Sequence, residues 1–111
     1  MENNKKLILK GVRASAGVVS GKVQIIRSVS DIEKTTEENI LVVSDNNPIY
    51  ATALMKSRGL ICENGGLLSH LCIIAAELKL PCLTSAKGAI GKLSDNDYIT
   101  LDCNEETIYE G

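Results

Sequence analysis

Phenylalanine and tryptophan are absent from this chain, and only three tyrosines represent the aromatics. A core built without large rings must be packed from Ile, Leu, Val, Ala and Cys. The same shortage argues against a stacking platform for single-stranded nucleic acid, which needs aromatic faces. Charge of one sign is also lacking: 12 basic and 14 acidic residues give a net charge of −2, spread evenly. Without a basic stripe, duplex binding is not expected. No apolar run is long enough to span a bilayer, and no hydrophobic signal core follows the polar first residues. The expected setting is cytoplasmic, away from membranes and nucleic acid. Histidine is nearly absent as well, His70 being the only one.

Four cysteines are present, Cys62, Cys72, Cys82 and Cys103, each inside an apolar stretch. No Cys-x-x-Cys pair exists, although zinc sites usually show one. His70 and Cys72 stand two apart on an expected helix and point in different directions. A metal site from these residues is therefore the least favoured reading, and buried reduced thiols the favoured one.

The chain has 111 residues, 44% of them hydrophobic, which suits one domain over residues 1–111 with a single core. No repeat or linker is visible, and residues 1–5 read as a frayed end. A short strand is expected from Leu7 to Lys10. The glycine-punctuated stretch from Gly11 to Gly21 reads as a loop leading into a strand through Val23, Ile25 and Ile26. Ser30 to Thr36 reads as one helical turn capped by Ser30 or Asp31. The run from Asn39 to Ser44 suits a strand buried on both faces. Pro48 opens a helix whose apolar stripe is Ala51, Leu54 and Met55, ended by Gly59. A short strand then covers Leu60 to Cys62. From Ser69 to Lys79, Leu71, Ile74, Ala75 and Leu78 recur at helical spacing, closed by Pro81. A strand at Cys82 to Thr84, a helical turn near Ala86 to Ile90, and strands at Tyr98 to Leu101 and Thr107 to Tyr109 complete an α/β alternation.

One stretch carries chemistry. A strand runs into the pair Gly65 and Gly66, and Ser69 then caps a helix with His70 in its first turn. The first turn of a helix presents backbone N–H groups and the positive end of the dipole, so a phosphate is stabilised there without a side-chain cation. Leu71 and Cys72 share that turn. Glycines before it let a bulky donor approach the backbone. A neutral imidazole so placed is a suitable nucleophile for phosphoryl transfer. On spacing alone, a capping or solvated histidine is the commoner explanation.

The segment resembles the phosphohistidine motif of the mobile domain of PEP-utilising enzymes, the group that includes pyruvate phosphate dikinase, phosphoenolpyruvate synthase and enzyme I of the sugar phosphotransferase system. The matching positions are Gly65, Gly66, Ser69, His70, Ile74, Ala75, Glu77, Leu78 and Pro81. A second block, Gly11, Ala14, Ser15, Gly17, Gly21 and Val23, resembles the family's Gly-x-x-Ser-x-Gly-x-x-x-Gly motif. The strand at Ile40 with the following Pro48, and the closing strand Asp97 to Asp102, keep the same register. The chain departs at Leu68, often Thr in the family, at Ala76, usually Arg, at Lys79, usually Gly, and at Cys103, which replaces the Gly of an Asp-Gly pair.

The resemblance implies the swivelling β/β/α fold, a small barrel-like sheet flanked by helices. It implies that His70 is phosphorylated, supported by Gly65, Gly66, Ser69, Leu71 and Cys72, with Ser15, Gly17, Gly21 and Glu77 as motif residues of unassigned role. Its partners would be an ATP-grasp nucleotide-binding protein and a barrel protein that binds PEP or pyruvate. The chain lacks a phosphate loop with Lys and a carboxylate cluster for Mg²⁺. No cofactor is therefore expected on this chain alone, Mg²⁺ arriving with ATP or PEP at the partner sites. The expectation is a free-standing phosphotransferase component. The alternative is a non-catalytic binding or regulatory module that kept the fold, a reading Ala76 and Lys79 favour.

Overall fold

The computed structural model describes residues 6–45 and 47–111; residues 1–5, expected to fray, lie outside them. Eight strands form one mixed sheet in the order β1-β8-β7-β3-β4-β5-β6-β2. They are β1 (Leu7–Lys10), β2 (Val12–Ser15), β3 (Val18–Ile26), β4 (Asn39–Val43), β5 (Gly59–Cys62), β6 (Cys82–Thr84), β7 (Tyr98–Asp102) and β8 (Thr107–Glu110). Four helices accompany them: α1 (Val29–Ile32), α2 (Ala51–Lys56), α3 (His70–Glu77) and α4 (Ala89–Lys92), with a 3₁₀ turn at Pro48–Tyr50 leading into α2.

Strands β3 to β6 are parallel and adjacent, joined by crossovers through α1, α2 and α3. Crossovers of this kind share one hand, so helices following consecutive strands fall on the same face. Strand β4 sits at the centre with all five residues buried, which is why its sequence is continuously apolar. Alternation along the strands divides the core in two. Leu41, Val43, Leu60, Cys62 and Cys82 pack with Ala53 and Leu54 of α2 and with Leu71, Cys72 and Ala75 of α3. Ile40, Val42, Ile61 and Leu83 face the other way, against Ala89, Leu93, Ile99, Leu101 and Cys103.

The two ends of the strand order, β1 and β2, are separated in sequence by Gly11 alone. In a flat sheet seven strand spacings of about 4.8 Å would put them roughly 34 Å apart. One intervening residue spans at most about 7 Å. The sheet therefore curls until its edges approach. Gly11 N–H donates to the Glu106 carbonyl (3.2 Å) and Arg13 N–H to the Glu106 carboxylate (2.7 Å). Among the described residues no ladder joins β1 to β2, so the curled sheet flanked by helices stays open.

Several local expectations need correction. The stretch from Gly11 to Gly21 contains strand β2, paired with β6, and the start of β3. Val12 to Ser15 alternates apolar and polar side chains, but over only four residues set between Gly11 and Gly17, too short a run for the period to stand out from the glycine pattern. The N-cap of α1 is Ser28 rather than Ser30 or Asp31. Asp31 instead closes the turn by accepting from Arg27 N–H (2.8 Å) and Ser28 N–H (3.2 Å). These bonds, that from Arg27 first, hold its carboxyl below the usual range. Helix α2 stops at Ser57, Gly59 belongs to β5, and Met55 is exposed while Ala53 is buried. Helix α3 ends at Glu77; Leu78, at its C-cap, is exposed, and Cys72 is buried within the helix. The last helical turn is Ala89–Lys92, slightly later than expected.

Candidate phosphoryl-acceptor site

Loop 63–69 carries the chain from the carboxyl end of β5 to α3, the edge of a parallel sheet where ligands usually bind. Its backbone is held from both sides. Glu63 N–H donates to the Val43 carbonyl (2.8 Å), Asn64 Nδ2 to Ser44 (2.9 Å) and the Ser85 hydroxyl to the Gly65 carbonyl (3.2 Å). Thr84 Oγ1 reaches the same carbonyl at 3.5 Å, and Glu63 in turn accepts from Gly88 N–H (3.0 Å). None of Glu63, Asn64, Thr84 or Ser85 was singled out by the sequence, because each is an ordinary polar residue whose partner lies about twenty positions away.

Gly65 has φ = +111°, a region favourable to glycine. A Cβ on Gly66 would meet nothing within 4 Å, so the approach to the backbone is open there. Ser69 occupies the N-cap position of α3, and its carbonyl accepts from Ile73 N–H (3.0 Å), beginning the helical ladder. The expected capping bond from its hydroxyl is not made; that oxygen is buried without a hydrogen bond of good geometry. His70 follows as the first helical residue and is exposed. Leu71 is buried and anchors the turn. Exposed apolar side chains flank the histidine in sequence: Leu68 (87% exposed), Leu67 (52%) and Ile73 (44%).

The other motif residues lie elsewhere. Ser15 ends β2 opposite Cys82. Gly17 (φ = +130°) faces Pro81, where a Cβ would come within 2.8 Å of the ring. A Cβ on Gly21 would come within 2.5 Å of the Glu38 carbonyl. At both positions the absent Cβ lets the backbone pass close to a residue just before a strand, Pro81 ahead of β6 and Glu38 ahead of β4. Glu77 is exposed at the far end of α3. Ala76 lies six residues beyond His70, about 9 Å along the axis and on another side of the helix.

Cys62, Cys72 and Cys82 converge beneath the first turn of α3, their Sγ atoms all within 4.8 Å of one another. Their thiols titrate as a group. Hydrogen bonds from Cys62 first, then Cys82, lower Cys72 strongly, and the Ser69 hydroxyl adds to this. Cys62 is raised mainly by its bond to Cys72, and Cys82 by its bonds to Cys62 and Cys72. Sequence spacing did not reveal this trio, since ten residues separate each neighbour. A cleft of about 450 Å³ is lined by residues such as Lys6, Lys92 and Tyr98, and His70 is not among its lining residues. His70 itself is exposed.

The chain is 36% identical to a phosphoenolpyruvate synthase of Pyrococcus furiosus over 106 residues, 96% of this chain and 13% of that protein. It is 32% identical to an uncharacterised phosphotransferase of Bacillus subtilis, covering 91% of this chain and 12% of that one. It thus spans about an eighth of the length of these curated relatives. Among solved structures, aconitase X of Thermococcus kodakaraensis matches with a TM-score of 0.68 at 14% identity, covering 93% of this chain and 97% of that one. An enzyme I structure matches with a TM-score of 0.59 at 20% identity, covering 69% and 32%. Those two likenesses concern the fold alone. The family model for the PEP-utilising enzyme mobile domain matches residues 35–106, and with the sequence relatives it shows that this chain belongs to that family.

Proposed function

We propose that His70 is a phosphoryl carrier, taking phosphate from one site and releasing it at another. The observation that carries this reading is the placement of an exposed imidazole at the first residue of α3, in the segment that begins with the open Gly66 four residues earlier. An imidazole nitrogen attacks phosphorus in line; the N–P bond forms as the donor's P–O bond breaks, and the bonding pair leaves with the donor oxygen. The second ring nitrogen keeps its proton. The positive end of α3 favours the incoming negative oxygens. Return of the phosphoryl group to a second acceptor reverses these steps.

The donor and acceptor sites lie outside residues 1–111. An ATP-grasp nucleotide site and a PEP or pyruvate barrel fit the chemistry, on other domains or other polypeptides. The first turn of α3 holds no acidic residue, so Mg²⁺ accompanying the donor has no carboxylate ligand on this turn and belongs to the partner. The exposed Leu67, Leu68 and Ile73 suit a collar that seals the partner's site against water. Ala76 and Lys79, the departures that favoured a non-catalytic module, both lie toward the far end of α3 from His70.

The test supplies PEP and Mg²⁺ with a phosphoenolpyruvate synthase from which the mobile domain has been removed. One acid-labile phosphate per chain, absent from the correctly folded His70→Ala variant, supports the carrier. Failure to label with this donor and with an ATP-grasp donor removes the proposal.

A further inference from the structure

Cys62 ends β5, Cys72 lies in the first turn of α3, and Cys82 opens β6. Three separate elements thus deliver three thiols to one point, each residue at most 1% exposed. The Cys72 and Cys82 sulfurs are 3.7 Å apart, and all three lie within 4.8 Å of one another. Thiolates around one ion with metal–sulfur bonds of about 2.3 Å are separated by about 3.8 Å in tetrahedral geometry and about 4.0 Å in trigonal geometry. The cluster is therefore near the spacing an ion requires. A disulfide needs about 2.05 Å, a much larger collapse, and would leave the third thiol unpaired.

We propose that Cys62, Cys72 and Cys82 form a binding site for one soft, thiophilic d¹⁰ cation, three-coordinate Cu(I). All three donors are sulfur, the class that soft ions select. Among the described residues no carboxylate or imidazole joins the group, and the burial of all three cysteines keeps bulk water from completing a fourth position, as Zn(II) prefers. The Ser69 hydroxyl, buried and without a well-formed hydrogen bond, lies beside Cys72 and is placed to donate to a bound thiolate. Cys72 sits at the positive end of α3, which offsets part of the negative charge of the complex. Entry is through loop 63–69, whose Gly66 faces open space. This site is separate from the proposed chemistry of His70 and stands or falls independently of it.

The test loads the reduced full chain anaerobically with Cu(I) acetonitrile complex in competition with a Cu(I) chelator, and in a parallel arm with Zn(II). The expected result is one Cu(I) per chain that survives desalting. X-ray absorption of the wild type should show three sulfur neighbours and no nitrogen or oxygen. Cys72→Ala and Cys82→Ala should each lower affinity at least about tenfold, whereas Cys103→Ala, in the other core, should bind as wild type. Circular dichroism confirms that each variant is folded, and the wild-type spectrum does not depend on any variant. Copper lost to the chelator, retention undiminished in folded Cys72→Ala, or dependence on Cys103 would overturn the site. Preference for Zn(II) over Cu(I) would overturn the assignment of the ion.

Discussion

Lys79 adopts φ = +61° just past the end of α3, where Lys79 N–H donates to the Ala76 carbonyl (3.1 Å) and Leu80 N–H to that of Ala75 (2.9 Å). This pair of bonds is the Schellman termination, whose left-handed residue is usually glycine. Lysine holds the conformation against a Cβ penalty, so Lys79→Gly should stabilise the chain by up to about 1 kcal/mol, read from the denaturant midpoint. Phosphorylation of His70 should be unaffected. The glycines make a second contrast. Gly21→Ala forces a methyl against the Glu38 carbonyl and should destabilise by about 1–3 kcal/mol. Gly66→Ala meets nothing and should leave stability within about 0.5 kcal/mol. Its methyl narrows the approach to His70, however, and phosphoryl uptake should fall about tenfold.

At the scale of elements, the proposed function rests on the start of α3, where His70 is the first helical residue. Leu68, two residues before His70, is exposed, so under the proposed function its role is in docking rather than folding. Leu68→Asp should reduce transfer from a protein donor about tenfold while leaving direct labelling by phosphoramidate unchanged; equal loss in both assays would contradict the collar. The helix and its histidine were legible in the sequence because the glycine pair, Ser69 and the apolar spacing agree on one start. Strand β2 was not, because its pairing with β6 comes from residues seventy positions away. The capping role of Ser28 was hidden for a different reason: three candidate cap residues, Ser28, Ser30 and Asp31, stand almost together, and only the fold chooses among them.

Across the whole molecule, the curled sheet separates two cores, and the cysteines divide between them. Cys62, Cys72 and Cys82 share the helix side, while Cys103 lies in the other core. Apolar surroundings announced each cysteine as buried, but convergence of three on one point depends on strand order and could not be read from spacing. Burial first, with the nearby Asp102 charge adding to it, pushes the Cys103 thiol up to about 12. Since the folded value is raised, the contribution to stability is fully present below the unfolded thiol's range, about pH 9, and is lost as pH rises toward the folded value. Between about pH 8 and about pH 10.5 the wild type should therefore lose more stability than Cys103→Ala, measured by denaturant midpoints. Parallel loss in both would contradict this.

Exposure of the histidine at the start of α3 joins these scales under the proposed function: a domain that presents one reactive nitrogen to sites elsewhere. The most direct measurement is to map the phosphate after treating the protein with phosphoramidate, using tandem mass spectrometry with acid and base stability of the adduct. The account predicts a single phosphate on His70, lost in acid and stable in base. An acid-stable phosphate on Ser69, or none on a folded chain, would contradict it.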